Sequence, residues 1–194
     1  MSPTLTSLSI GLLAAAAGLL AWPALEYLIH GVLCHRYRTL VGPFHWGHHR
    51  NPHGVFTSPV AWVPLAAIIW VLAALTAGAV LGSLFVLGLL AGFARYEWVH
   101  YRFHFREPRS ERERMLRAHH LAHHFRNPRM YQGVTTRVFD RAFGTLPAEW
   151  REDYARVADR PPLAGPSNLR ATYGATGLRS MWAQVADWLP GLRS

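Results

Sequence analysis

Two long apolar stretches set the organisation of the chain. The first 25 residues carry no charged side chain, and Leu5–Trp22 is almost entirely apolar, which is the length of a short transmembrane helix. No Arg or Lys precedes this stretch, whereas a secretory signal normally begins with a basic region. We therefore expect a first transmembrane helix, kinked by Pro23, that continues through Glu26 to His35.

The second apolar stretch, Ala61–Ala94, contains no ionisable residue. As a single helix it would be about 50 Å long, against a hydrocarbon core of about 30 Å. Because small and helix-breaking residues gather at Thr76–Gly78, we predict a reversal there. The two resulting spans are Pro59–Leu75 and Ala79–Trp98. The pattern therefore predicts an all-α integral membrane bundle of three to four transmembrane helices with a histidine-rich helical cap.

The sequence becomes polar towards its end and then rich in loop-forming residues at Pro161–Pro166. A candidate amphipathic helix follows at about Arg179–Leu189. We therefore predict a membrane-embedded domain over residues 1–150 and a loop-rich tail over residues 151–194, to which we assign no chemistry.

The formal net charge of +9 is carried by arginine alone, and no basic residue precedes Arg36. Basic residues collect on the cytoplasmic side of membrane proteins, so Arg36–Arg50 and Arg95–Arg160 are both expected inside and the N-terminus outside. This arrangement predicts a cell inner membrane protein whose histidine-rich cap faces the cytoplasm. Neither a nucleic-acid-binding motif nor a basic stripe with interleaved aromatic residues is present, so we expect no nucleic acid as a partner.

All twelve histidines fall in four tight groups beside the apolar stretches. The groups are EYLIHGVLCHR with His30 and His35; HWGHH with His45, His48 and His49, followed by His53; EWVHYRFH with His100 and His104; and AHHLAHH with His119, His120, His123 and His124. Residues three and four apart share a helix face, so the last three groups can each direct imidazoles one way. His30 and His35 are five apart, which requires a π-bulge, a helix end or two different metals.

So many uncharged imidazoles at one membrane face predict metal binding. His53 and His119 can equally be ordinary core or surface histidines, and the other ten exceed the six ligands of one octahedral ion. The count therefore indicates two ions with positions open for oxygen and substrate. Imidazole binds iron, zinc, copper and nickel, so the ligand type alone does not identify the metal. A single cysteine, Cys34, excludes a cluster held by several thiolates.

Two carboxylates lie close to these histidines in sequence. Glu26 is four residues before His30, and Glu97 is three before His100. We predict that each accepts an N–H hydrogen bond from a ligand imidazole, the alternative being a helix-end carboxylate paired with Arg.

The order of the histidine groups resembles the fatty acid hydroxylase/sterol desaturase superfamily, membrane oxygenases in which histidine boxes hold a non-haem dimetal centre. The boxes read HX4H, HX2HH, HX3H and HX2HH, and the resemblance covers about Glu26–Leu146. The segment HHFRNPRMYQGVTTRVFDRAFGT is similar to the fatty acid 2-hydroxylase branch. The resemblance implies as metal ligands His30, His35, His45, His48, His49, His100, His104, His120, His123 and His124. It leaves His53 and His119 unassigned.

This resemblance implies an enzyme that uses O2 to hydroxylate a fatty acyl chain of a lipid. Two iron ions are expected as cofactors, and zinc could bind the same ligands in isolated protein without supporting turnover. Electrons would come from a separate ferredoxin-like or cytochrome donor with its reductase. The arginines from Arg102 to Arg117 would face lipid headgroups or, alternatively, that donor.

Three other functions stay open at this point. A carotenoid hydroxylase of the β-carotene type is suggested by the nine residues between His35 and His45, although such enzymes typically have HX4H as the third box. A lipid or sterol desaturase would share the same boxes. A metal transporter is disfavoured because Ala61–Ala94 offers only Thr76 and Ser83 as polar groups at membrane depth.

Overall fold

A computed structural model describes residues 3–165, and the regular structure in this range is entirely helical. The elements are α1 (Pro3–Tyr27), a π-helix (Leu28–Cys34), α2 (Gly42–Arg50), α3 (Pro59–Ala77), α4 (Ala79–Phe105), α5 (Glu111–Phe125), α6 (Val138–Ala142) and α7 (Trp150–Ala158). The predicted all-α class is confirmed. The candidate amphipathic helix at Arg179–Leu189 lies outside the described residues.

Three helical segments are long and apolar enough to cross a membrane, namely Thr6–Cys34, Pro59–Ala77 and Ala79–Phe105. Many of their leucines and valines are exposed on the outer face of the bundle; Leu20 and Leu75, for example, each have 79% of their surface exposed. Lipid tails accommodate such side chains, whereas water would not. The predicted membrane bundle is therefore confirmed.

The reversal between α3 and α4 is where the sequence predicts it. Gly78 has a backbone φ of 83°, in the left-handed region that glycine adopts without a steric penalty. Beyond this turn, α4 continues past the predicted end at Trp98 to Phe105. The extra turns extend the helix beyond its apolar part and so place the third histidine box in the cap.

Small residues let α1 and α4 approach closely. A Cβ atom on Gly18 would overlap the backbone carbonyl oxygen of Phe85, and one on Gly88 would overlap that of Ala15. Each helix therefore contributes a glycine at the point where the other helix's backbone passes, as is common in membrane helix pairs. This close packing brings together the histidines at the ends of the two helices.

The cap is stabilised by α5 and α7. Ser110 caps α5, because its side-chain oxygen accepts the N–H of Glu113. Tyr154 and Val157 of α7 pack against Leu121 of α5 in one buried apolar cluster. α7, which begins at the predicted domain boundary near residue 150, thus supports the helix that carries the fourth histidine box.

Candidate metal centre

Ten histidines converge into two adjacent clusters at the cap end of the spanning helices. Cluster A consists of His30, His35, His45, His49 and His123, and cluster B of His48, His100, His104, His120 and His124. Within each cluster the nitrogen atoms that could bind metal all lie within 4.8 Å of one another. These are the ten residues that the resemblance implies as ligands, and the fold brings all of them together.

The histidine boxes do not correspond one to one with the clusters. In α2, His45 and His49 lie in cluster A, whereas His48 lies in cluster B. In α5 the pair one turn apart, His120 and His124, lies in cluster B, and the histidine between them lies in cluster A. Two histidines four apart share a helix face, and the third, on a neighbouring part of that face, reaches the other cluster. Helices α2 and α5 therefore bridge the two clusters.

The π-helix explains the five-residue spacing of His30 and His35. A π-helix closes i→i+5 hydrogen bonds, so residues five apart come to lie on one face. Both side chains accordingly enter cluster A, with their ring centroids 5.3 Å apart. Of the three possibilities that the sequence allowed, two are found together, because His30 lies within the π-helix and His35 is the residue that caps its end.

Neighbouring nitrogens in each cluster are as far apart as ligands on one metal ion. In cluster A, Nε2 of His45 lies 3.0 Å from that of His30 and 2.9 Å from that of His49. In cluster B, the Nε2 atoms of His48 and His100 are 3.0 Å apart. Two imidazole nitrogens bound at right angles, each about 2.0–2.1 Å from an ion, would be about 3 Å apart. Both clusters therefore fit a metal ion.

Burial keeps these imidazoles in the neutral form that binds metal. Burial and the neighbouring His30 and His49 lower the pKa of His35 to about 2. Burial and nearby imidazoles likewise lower the pKa of His49 to about 3 and hold the pKa of His123 well below its ordinary value. Protons therefore do not compete with metal at these nitrogens at neutral pH.

One backbone segment orients two imidazoles of cluster A. We call residues 130–135 the carbonyl loop. Nδ1 of His30 lies 2.5 Å from the carbonyl oxygen of Gln132, and Nδ1 of His123 lies 2.9 Å from that of Met130. Because a carbonyl oxygen can only accept, both Nδ1 atoms carry the hydrogen, which leaves the Nε2 lone pairs facing the centre of the cluster. Backbone acceptors have no sequence signature, and the sequence did not indicate them.

The structure gives Glu26 a different partner from the predicted imidazole. Glu26 is 2% exposed and accepts hydrogen bonds from the backbone N–H groups of Val134 and Thr135 and from the Thr135 hydroxyl. The π-helix begins at Leu28, between Glu26 and His30. Residues four apart would share one face of an α-helix, but the π-helix moves His30 off the face on which Glu26 lies. Glu26 thus contacts the carbonyl loop.

Glu97 also bonds elsewhere than predicted. Its two carboxylate oxygens accept the backbone N–H of Thr57 at 2.9 Å and the Thr57 hydroxyl at 2.7 Å. Thr57 lies just before α3 begins, where backbone N–H groups have no partner within the helix. Glu97 thus joins α4 to the start of α3.

The two unassigned histidines lie outside both clusters. His53 packs its ring 5.6 Å from that of Phe105. His119 is fully buried, with Nε2 3.1 Å from Oδ2 of Asp140 and Nδ1 2.5 Å from the Tyr154 hydroxyl. The sequence left both residues open, and it assigned no role to Asp140, although Asp140 lies in the segment that resembles the fatty acid 2-hydroxylase branch.

The arginines from Arg102 to Arg117 are predicted to face lipid headgroups or an electron donor. Two of them are buried instead. Arg102 donates to Glu113 at 2.6 Å. Arg117 donates to the backbone carbonyl oxygens of Phe103 and Arg160, at 3.0 and 2.7 Å. These side chains stabilise the cap, because they satisfy carbonyl groups and a carboxylate that would otherwise be buried unpaired. The exposed arginines of the stretch are Arg106, Arg109, Arg112 and Arg114.

An apolar cavity of about 270 Å³ reaches both clusters. His30 and His45 of cluster A and His48 and His100 of cluster B line it at one side. The spanning helices α1, α3 and α4 supply the apolar lining, which includes Leu25, Leu65, Ile69, Leu89 and Phe93. A long apolar molecule could therefore extend from the membrane part of the bundle to the histidines.

Several known proteins are similar to this chain in sequence. The chain is 35% identical over 160 residues to dihydroceramide fatty acyl 2-hydroxylase FAH2 of Arabidopsis thaliana, covering 75% of this chain and 65% of the relative. It is 32% identical over 145 residues to fatty acid 2-hydroxylase of Homo sapiens, covering 68% and 39%. It is 26% identical over 140 residues to ceramide very long chain fatty acid hydroxylase scs7 of Schizosaccharomyces pombe, covering 66% and 40%.

The matched region thus spans between about two fifths and two thirds of the length of these relatives. No solved structure matches the chain significantly. The sequence profile of the family described as fatty acid hydroxylase matches residues 15–145, which include all four histidine boxes. The chain therefore belongs to the fatty acid hydroxylase family.

Proposed function

We propose that this protein is a membrane-bound, O2-dependent oxidoreductase that hydroxylates a fatty acyl chain of a lipid. The observation that carries the proposal is the apolar cavity, because it is lined both by the spanning helices and by histidines of both clusters. The names of the relatives support an acyl substrate and favour the 2-position, the carbon next to the carbonyl group.

Clusters A and B would each hold one iron ion, with five imidazole ligands apiece. Bound iron would supply the oxidising chemistry needed to break an unactivated C–H bond, which no side chain can perform. Zinc would fit the same nitrogens but has no redox chemistry, so a zinc-loaded sample would be inactive.

The overall reaction needs a source of electrons. One atom of O2 enters the C–H bond to give an alcohol, and the other leaves as water with two electrons and two protons. We infer a separate ferredoxin-like or cytochrome donor with its reductase as the source. Exposed arginines such as Arg106 and Arg112 offer positive charge to such a donor or to lipid headgroups.

The residues of the chain would bind and orient the substrate. The apolar walls of the cavity hold the acyl chain away from water, and the histidine side of the cavity receives the carbon to be hydroxylated. Correct placement of that carbon determines which C–H bond reacts, because a small displacement greatly changes the rate.

The test is mass spectrometry of total lipids from cells that express the wild type, His123→Ala or His53→Ala, grown in air with iron and a competent donor. We expect acyl chains that carry one added oxygen with the wild type and with His53→Ala, since His53 lies outside both clusters. His123→Ala should lower this product at least about 100-fold, because it removes a ligand of cluster A.

Equal product from His123→Ala and the wild type would refute a role for cluster A in the reaction. If supplied carotenoids were hydroxylated instead of acyl chains, the substrate class proposed here would be wrong while the oxygenase chemistry would stand.

A further inference from the structure

Asp140 lies at the centre of a buried hydrogen-bond network beside cluster A. Its side chain is fully buried. Oδ1 accepts the backbone N–H of Gln132 at 2.6 Å and the hydroxyl of Thr145 at 2.7 Å. Oδ2 accepts the backbone N–H of Gly133 at 2.8 Å and lies 3.1 Å from Nε2 of His119. Because four donors bond to this one carboxylate, it holds these groups of the cap firmly in place.

The network also determines the tautomer of His119. Nε2 of His119 donates to the carboxylate of Asp140, so Nδ1 accepts the hydroxyl hydrogen of Tyr154. Burial raises the pKa of Asp140, but the hydrogen bonds from His119, Thr145 and Gly133 outweigh this effect and hold the pKa below its ordinary value. The carboxylate is therefore ionised at neutral pH and accepts from every neighbour.

The carboxylate holds the same peptide units that orient His30. The N–H of Gln132 bonds to Asp140, and the carbonyl oxygen of Gln132 bonds to Nδ1 of His30. Gly133 allows this approach, because a Cβ atom there would lie 2.8 Å from Oδ2 of Asp140. Asp140 thus acts on His30 through the intervening backbone.

The carbonyl loop needs such support because its backbone is strained. Tyr131, between the two carbonyl groups that bind imidazoles, has a φ of 59°, which is uncommon for a residue other than glycine. Its N–H bonds to the carbonyl oxygen of Thr145, and its hydroxyl donates to Asp153 at 2.6 Å. Glu26 binds the far end of the loop through Val134 and Thr135. The loop is therefore held by contacts from α1, α6 and α7.

The carbonyl loop makes no hydrogen bond to a cluster B imidazole in the described part of the chain. The Nδ1 atoms of His100 and His120 in cluster B are buried without a hydrogen-bond partner, as is Nδ1 of His35 in cluster A. The carbonyl loop orients His30 and His123, and both are members of cluster A. The two clusters thus differ in what holds their imidazoles in place.

We propose that Asp140 is a positioning residue for cluster A, which fixes the carbonyl loop so that His30 and His123 direct Nε2 towards one metal ion. This inference rests on the proposed function of the clusters as metal sites. Loss of the Asp140 carboxylate should weaken metal binding in cluster A and leave cluster B able to bind, because no contact of Asp140 reaches a cluster B imidazole within the described residues.

The experiment uses cobalt(II) as the probe metal on the purified full chain in detergent. We expect about two cobalt ions per chain in the wild type and about one in Asp140→Asn, because loss of a group that orients a ligand lowers metal affinity about 10–100-fold. The visible spectrum of cobalt-loaded Asp140→Asn should match that of His30→Ala, which lacks a cluster A ligand. It should differ from that of His100→Ala, which lacks a cluster B ligand.

Glu113→Gln is the matched control, because Glu113 is also a cap carboxylate but bonds to Arg102 and to the N–H of Arg109. It should keep about two cobalt ions. If Asp140→Asn cannot be purified, Thr145→Val removes one donor from the same carboxylate and should lower the cobalt affinity of cluster A about 10-fold.

Two cobalt ions in Asp140→Asn with wild-type affinity would overturn the inference. So would loss of both ions, because it would make Asp140 a general folding residue rather than a determinant of one cluster. A wild type that binds no cobalt, iron or zinc would instead refute the metal sites themselves, and with them the proposed function.

Discussion

The carboxylates of Glu26 and Glu97 do not bond to the histidines that their spacing in the sequence predicts. Each lies one helical turn before a histidine, yet each binds backbone N–H groups of a segment distant in sequence, at Val134 and Thr57 respectively. A backbone N–H that no helix or strand pairs is costly to bury, and a carboxylate is a strong acceptor for it. At the scale of single residues, the two carboxylates therefore bond where buried backbone N–H groups need an acceptor.

For Glu97 this leads to a prediction about substrate binding. Thr57 lines the apolar cavity, and Glu97 accepts both its N–H and its hydroxyl. Glu97→Gln replaces one acceptor oxygen by an NH2 group and should loosen this wall of the cavity. We expect the KM for the acyl substrate to rise about 5-fold, which corresponds to roughly 1 kcal/mol, with metal content unchanged. Steady-state kinetics and metal analysis of the same preparation measure both quantities. A fall in metal content would instead support hydrogen bonding from Glu97 to a ligand imidazole.

At the scale of helices, the π-helix and the close crossing of α1 and α4 place the first and third histidine boxes. The π-helix places His30 and His35 on one face, and the glycines of α1 and α4 let the two helix backbones approach. Helix association in a membrane depends on such packing, since lipid tails are as apolar as the side chains they replace.

Gly88→Leu should therefore separate α1 from α4. Even a Cβ atom at Gly88 would overlap the carbonyl oxygen of Ala15, and overpacking costs about 1–3 kcal/mol. We expect a lower midpoint of thermal unfolding in detergent and a lower metal content. Ala91→Leu is the matched control on the same helix, because Ala91 is exposed on the membrane side and should accept leucine without either effect. Equal unfolding midpoints for the two variants would contradict the role of Gly88 in packing.

For the whole molecule, the hairpin of α3 and α4 puts all four histidine boxes at one end of the bundle. The exposed arginines of the cap lie at that end, and the Gly78 turn lies at the opposite end of both helices. Arginine is retained on the cytoplasmic side of membranes. We infer that the clusters face the cytoplasm and the Gly78 turn faces outward.

Cysteine labelling tests this orientation. We expect Ala79→Cys, beside the turn, to react with a membrane-impermeant maleimide in bacterial spheroplasts. Arg112→Cys, in the cap, should react only after the membrane is made permeable. Both positions are exposed, and the native Cys34 is buried, so the wild type measures the background. Labelling of Arg112→Cys before permeabilisation would reverse the proposed topology.

The sequence by itself determined the features that are encoded locally. Apolar runs the length of a bilayer predicted the spans, Thr76–Gly78 predicted the reversal, and four tight groups of histidines predicted a metal site. The family resemblance implied which ten histidines converge in the two clusters. That these residues bind iron stays a prediction. Each of these signals is contained in one helix or one turn, and hydrophobic and helical periodicity is therefore enough to find it.

Only the tertiary structure decided how the histidine boxes divide between clusters and what orients the imidazoles. His30 bonds to Gln132, a residue 102 positions away, and His119 bonds to Asp140 instead of joining a cluster. These contacts depend on how α1, α5 and α6 pack together and on which buried N–H groups need an acceptor. Periodicity within one helix carries no information about packing between helices, so the sequence could name the side chains that converge but not the network that positions them.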